Sequence, residues 1–96
     1  MASTLNDESI RGWLKGRSGW KQVDEALVKE FKFRTFRDAI VFVNRIAGIA
    51  DDTKHHPDME IHRGTVRLKV WTHRQGGITE KDLGLAEKID FATSAR

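Results

Sequence analysis

Apolar residues recur along the chain at two spacings, and the switches between those spacings divide it into seven elements. Ile10, Trp13 and Leu14 fall on one helical stripe behind Asn6, a residue type that caps helix starts, and predict a first helix over residues 7–15. Gly16, Ser18 and Gly19 break it. Residues 20–23 and 27–33 read as two short strands around a polar turn at Asp24 and Glu25. In the second strand Leu27, Phe31 and Phe33 alternate onto one face, with Lys29 interrupting the row.

The clearest helix covers residues 35–54. Thr35 and Asp38 have capping-box spacing, and Phe36, Ala39, Ile40, Val43, Ala47 and Ala50 recur at helical intervals as its predicted inner face. Pro57 disfavours helical geometry at His56, so the helix is expected to stop near His55. Residues 59–62 and 65–72 predict a hairpin turning at Arg63 and Gly64, with Met59, Ile61, Val66, Leu68 and Val70 facing the core. Arg67, Lys69 and Trp71 take the opposite face, and His73 follows at the strand end. After Gly76 and Gly77 a last helix opens on a second capping box, Thr79 with Asp82, and a hydrophobic staple of Ile78 with Leu83. Leu85, Ala86, Ile89 and Ala92 form its inner face. The order α-β-β-α-β-β-α predicts an α+β two-layer sandwich: a four-stranded antiparallel sheet with three helices on one face.

Length and composition narrow the setting. A chain of 96 residues, 39% hydrophobic and without a linker or repeat, is expected to form a single domain over 1–96. So small a core favours supplementation by self-association, as a homodimer or homotetramer. The absence of cysteine removes disulfides, thiolate nucleophiles and cysteine-containing zinc sites. The polar, acidic first residues lack a signal-peptide pattern and no apolar stretch reaches membrane-spanning length, so the expected location is the cytoplasm, with no membrane partner. The net charge is +3, with 17 basic and 14 acidic residues interspersed. The nearest approach to a basic stripe is Lys29, Lys32, Arg34 and Arg37, which reads as a solvated face and points away from nucleic acid.

The histidines change the picture most. All four lie between positions 55 and 73, and three of them, His55, His56 and His73, sit where an element ends. An imidazole with an ordinary pKa of about 6.5 gives or takes a proton near neutrality, so two facing one ligand supply an acid and a base. Asp51, four residues before His55, is placed to orient that ring if the helix continues. Asp82 has a structural role in its capping box and a candidate role at the site. The same three histidines could be imagined around zinc, but there is no His-x-x-x-His spacing, and no phosphate loop or Gly-x-Ser-x-Gly setting occurs; neither metal nor cofactor is expected.

The ordered set Asp51-x-x-x-His55-His56-Pro57, then His73, then Gly76-Gly77-Ile78-Thr79-Glu80-Lys81-Asp82 resembles the pterin-4a-carbinolamine dehydratase family. The likeness begins near Gly19 and Trp20, runs through Phe31-x-Phe33-x-x-Phe36 and covers about three quarters of the chain. It implies a metal-free hydro-lyase, 4a-hydroxytetrahydrobiopterin dehydratase, that removes water from the 4a-hydroxy-tetrahydropterin left by aromatic amino-acid hydroxylases and so supports pterin recycling. His55, His56 and His73 match the family's active-site histidines, and Trp20 matches a tryptophan near its pocket. On this reading His55 and His73 exchange protons with the pterin substrate, His56 positions it and Asp51 orients His55. The family also includes a dimerisation cofactor of a homeodomain transcription factor and RuBisCO assembly factors, so a non-catalytic protein partner is the alternative. Two positions depart from the pattern: Arg63 stands where an aromatic residue is common and Arg74 where an acidic one is, which makes the rim more basic.

Overall fold

Asn6 and Thr35 close their helices as their side-chain chemistry requires. The Asn6 carbonyl oxygen accepts from the Ser9 amide at 2.8 Å, and the Thr35 hydroxyl accepts from the Asp38 amide at 3.0 Å. The computed structural model describes residues 3–94. Its elements run α1 (Asp7–Leu14), β1 (Lys21–Val23), β2 (Ala26–Lys32), α2 (Phe36–Thr53), β3 (Asp58–His62), β4 (Thr65–Val70) and α3 (Glu80–Ser94), in the predicted order. The strands form one antiparallel sheet ordered β1-β2-β4-β3.

Register decides which side of the sheet is apolar. Leu27 pairs with Val70, Phe31 with Val66 and Met59 with Leu68, so these side chains share a face. Against it lie Ile10 of α1, Ala39, Phe42 and Ile46 of α2, and Leu85, Ala86 and Ile89 of α3. All three helices therefore cover one face. Lys29, paired with Leu68, sits in the apolar row, and the helical layer supplies its partner: its Nζ lies 2.9 Å from Asp90 Oδ1, while Trp20 Nε1 donates to Asp90 Oδ2 at 2.8 Å. The interruption in the hydrophobic alternation is thus an ion pair between sheet and α3, roofed by an indole.

One expected face is corrected. On α2 the buried residues are Ala39, Phe42, Ile46 and Ala50, whereas Phe36 is 59% exposed and Ala47 faces water. Residues 39–43 are all apolar, so two neighbouring stripes satisfy the helical period; the ring of Phe42 stacks at 4.7 Å from Phe31 and 5.0 Å from Phe33, and that packing selects the inward one. Ile61 faces the predicted side but remains 37% exposed on β3, an edge strand of the sheet.

Two backbone features bring the later segments together. Lys54 adopts a left-handed conformation (φ 57°), and the His55 amide reaches back to the Ala50 carbonyl at 3.2 Å, ending α2 in a Schellman-type turn. At the β3–β4 turn a Cβ on Gly64 would lie 2.5 Å from the Phe33 carbonyl oxygen, so only glycine fits. No helix among the described residues is long and apolar enough to cross a membrane.

The inner face of α2 is open to a direct check. Ile46→Ala should lower the unfolding free energy by about 2–5 kcal/mol, and Ala47→Ser by less than about 0.5 kcal/mol. Urea denaturation of both variants tests this, and equal costs would contradict the observed rotation of the helix.

Candidate active site

The left-handed turn at Lys54 settles where the histidines go. A carboxylate and an imidazole four residues apart meet only on a continuous helix. Because α2 ends at Thr53 and the chain reverses, Asp51 meets His56 instead of His55, with Asp51 Oδ1 3.1 Å from His56 Nε2 on an exposed surface. The expectation that Asp51 orients His55 is therefore replaced. His55 turns inward, and its Nε2 lies 2.5 Å from Oδ1 of Asp82, the third residue of α3.

Asp82 is fully buried, and its remaining oxygen is saturated. Oδ2 accepts from the Thr72 hydroxyl and from the Thr79 amide, both at 2.8 Å. The second of these is the capping contact predicted from the sequence, so the structural and the site reading of Asp82 coexist in one carboxylate. The Thr72 and Thr79 hydroxyls lie 2.8 Å apart; since Thr72 donates to Asp82, Thr79 donates to Thr72, and Thr79 also accepts from the Lys81 amide at 3.2 Å. Among the described residues no buried side-chain polar atom lacks a partner. An ionised carboxylate can only accept, so this arrangement places a proton on His55 Nε2 and leaves Nδ1 as the acceptor of the neutral ring.

His73 is held differently. It follows β4 in a turn closed by pairing of Thr72 with Gly77, where the Thr72 amide donates to the Gly77 carbonyl at 2.9 Å. Its ring stacks on Trp71 at 4.1 Å, and its Nε2 lies 3.7 Å from Asp58 Oδ2, which also accepts from Trp71 Nε1 at 3.2 Å. Asp58 escapes the sequence reading; the signal that marks it is its outward position on β3, opposite Lys69 and beside Trp71. Each of the three histidines thus has its own carboxylate.

His55, His56 and His73 line a single open cleft of about 610 Å³, together with Lys54, Pro57, Asp58, Trp71, Thr72, Arg74, Gln75 and Lys81. The cleft lies where the helical layer meets the end of the sheet. Trp20, which the resemblance put near the pocket, is not among its lining residues; it is buried in the core with its indole on Asp90. Arg63 also lies away from the cleft, at the β3–β4 turn. No three histidine, aspartate or glutamate side chains among the described residues are grouped as metal ligands.

Fold and site together define a two-layer α+β protein with a histidine-lined cleft at the sheet end. The pterin 4 alpha carbinolamine dehydratase family model matches residues 3–92. A Thermomicrobium roseum protein provisionally named pterin-4-alpha-carbinolamine dehydratase is 44% identical over 85 residues, covering 88% of this chain and 91% of that one. A Brucella melitensis structure described as a transcriptional coactivator/pterin dehydratase superposes with a TM-score of 0.86 at 31% identity, covering 92% of this chain and 96% of the other. A pterin dehydratase-like protein identified as a RuBisCO assembly factor in the alpha-carboxysome shares the fold, with a TM-score of 0.64 at 21% identity over 77% of this chain and 88% of its own. The chain belongs to the pterin-4α-carbinolamine dehydratase family.

Burial separates the two aspartates. Asp82→Asn should cost about 1–3 kcal/mol of stability, because a buried acceptor of three donors becomes partly a donor, whereas Asp51→Asn, at an exposed pair, should cost less than about 0.5 kcal/mol. Chemical denaturation distinguishes them, and indistinguishable values would contradict the buried network.

Proposed function

We propose that this chain is a dehydratase that removes water from a 4a-hydroxy-tetrahydropterin to give the quinonoid dihydropterin. The observation that carries the reading is the convergence of His55, His56 and His73, each beside a carboxylate, on one cleft. The chemistry needs two proton movements. A proton reaches the oxygen on C4a as the C–O bond breaks, and a ring N–H proton leaves as the C=N bond forms; water departs and no oxidant is required.

His55 and His73 are the residues proposed for these transfers. His55, with its proton held on Nε2 by Asp82, accepts through Nδ1, and His73, on the exposed side of the cleft, serves the departing oxygen. Asp82 and Asp58 act as positioning residues for the two rings. His56, paired with Asp51 at the surface, positions the heterocycle. Each well-placed transfer contributes about 10²–10⁴-fold in rate, equivalent to roughly 3–5 kcal/mol of barrier.

A second reading, a protein-interaction module, draws on the coactivator and assembly-factor names of the two structural neighbours and on Phe36, Val41 and Phe91, which are 59%, 58% and 75% exposed. Such a role has no use for three paired histidines, which favours the enzyme.

Stopped-flow loss of synthetic 4a-hydroxy-tetrahydropterin decides between them. His55→Ala and His73→Ala should each lower kcat by about 10²–10⁴-fold, while His56→Ala should act mainly on KM. Asp58→Asn should lower kcat by less than either histidine variant and alter the pH profile, which a purely structural loss would leave in shape. Wild-type and His73→Ala rates that coincide at saturating substrate would end the catalytic reading.

A further inference from the structure

The cleft holds side chains that the proton transfers leave unused. Lys54 at the end of α2, Arg74 after β4 and Lys81 in the first turn of α3 come from three separate segments and line the same cavity as the histidines. All three are exposed, and none of their side chains makes a hydrogen bond or ion pair with another described residue. Three of the carboxylates nearby already have partners. Asp58, the one carboxylate in the lining, accepts from Trp71 and faces His73; Asp51 meets His56; Asp82 is buried beneath His55. Asp52, two residues before Lys54, lines a different hollow beside Phe91. Three cations thus face the cavity against one occupied carboxylate.

The space also exceeds what a bicyclic head needs. A cleft of about 610 Å³ lies within the range of roughly 300–1,000 Å³ that accepts drug-sized ligands. Lys54, Arg74 and Lys81 line that space together with the histidines. A neutral side chain would leave these cations facing only water; an anionic one would give them a partner.

We propose that the preferred ligand is a pterin bearing an anionic tail, a phosphate or a carboxylate, held by Lys54, Arg74 and Lys81. This rests on the dehydratase reading insofar as it takes a pterin as the occupant of the cleft. The three cations set specificity and stand outside the proton transfers. Each exposed charge contact adds a factor of about 1.5–5 in affinity, so three together favour the anionic ligand by about tenfold.

Calorimetric titration of the full chain tests this without turnover, using 6-hydroxymethyl-7,8-dihydropterin, its phosphate monoester and a glutamyl-conjugated dihydropterin. The expected result is about tenfold tighter binding of at least one anionic ligand at low salt, which shrinks as added salt shortens the Debye length from about 10 Å at 0.1 M to about 3 Å at 1 M. The preference should collapse in the triple variant Lys54→Gln, Arg74→Gln, Lys81→Gln. Comparison of the phosphate and glutamyl arms identifies which anion the rim takes. Equal affinity for neutral and anionic ligands, a preference that survives the triple variant, or no binding of any of them overturns the proposal. A charge preference without any dehydration of the 4a-hydroxy compound would instead retire the dehydratase reading and keep the anion site.

Discussion

The site depends on one buried carboxylate. Asp82 receives His55 from the end of α2, the Thr72 hydroxyl from the exit of β4 and the Thr79 amide from the start of α3. A carboxylate fully removed from water is costly unless its lone pairs are occupied, and here the end of α2, the exit of β4 and the start of α3 supply the donors. The same contacts that make its burial tolerable fix the separation between His55 and the strand end that carries His73. Packing of Leu27, Phe31, Val66, Leu68 and Val70 under the helices provides the stage; the carboxylate fixes the parts that line the cleft.

The three histidines differ in how firmly they are held. His55 is mostly buried and bonded to a fully buried carboxylate. His73 is mounted on a turn, braced by a stacked indole and a carboxylate at ion-pair distance. His56 is 64% exposed in its side chain, and its partner Asp51 is 76% exposed. Such a gradient suits a cleft in which one ring is preorganised and another must accommodate the arrival and departure of a ligand.

Much of this was legible in the sequence, and the exceptions share a cause. Periodicity locates all seven elements, because their apolar spacings are local and their caps, Asn6, Thr35 and Thr79, are chemically distinctive. It does not choose between adjacent stripes on α2, where residues 39–43 are all apolar and only contact with Phe31 and Phe33 selects Phe42. Spacing likewise pairs Asp51 with His55 on paper. The left-handed residue at Lys54, a position with no glycine to announce it, reverses the chain and exchanges the partners. Asp58 is invisible to motif reading because its role arises from a cross-strand neighbourhood with Trp71. Local rules thus reach the elements and the histidines, while the pairing of charges across elements requires the tertiary fold.

The closed turn around His73 carries a consequence for how the protein comes apart. Thr72 both latches that turn to Gly77 and donates to Asp82. Fraying of the first turn of α3 would loosen Thr79, free the carboxylate, unlatch the turn and release both rings together. Partial opening of this kind, well short of global unfolding, would take the cleft apart as a unit instead of loosening it residue by residue.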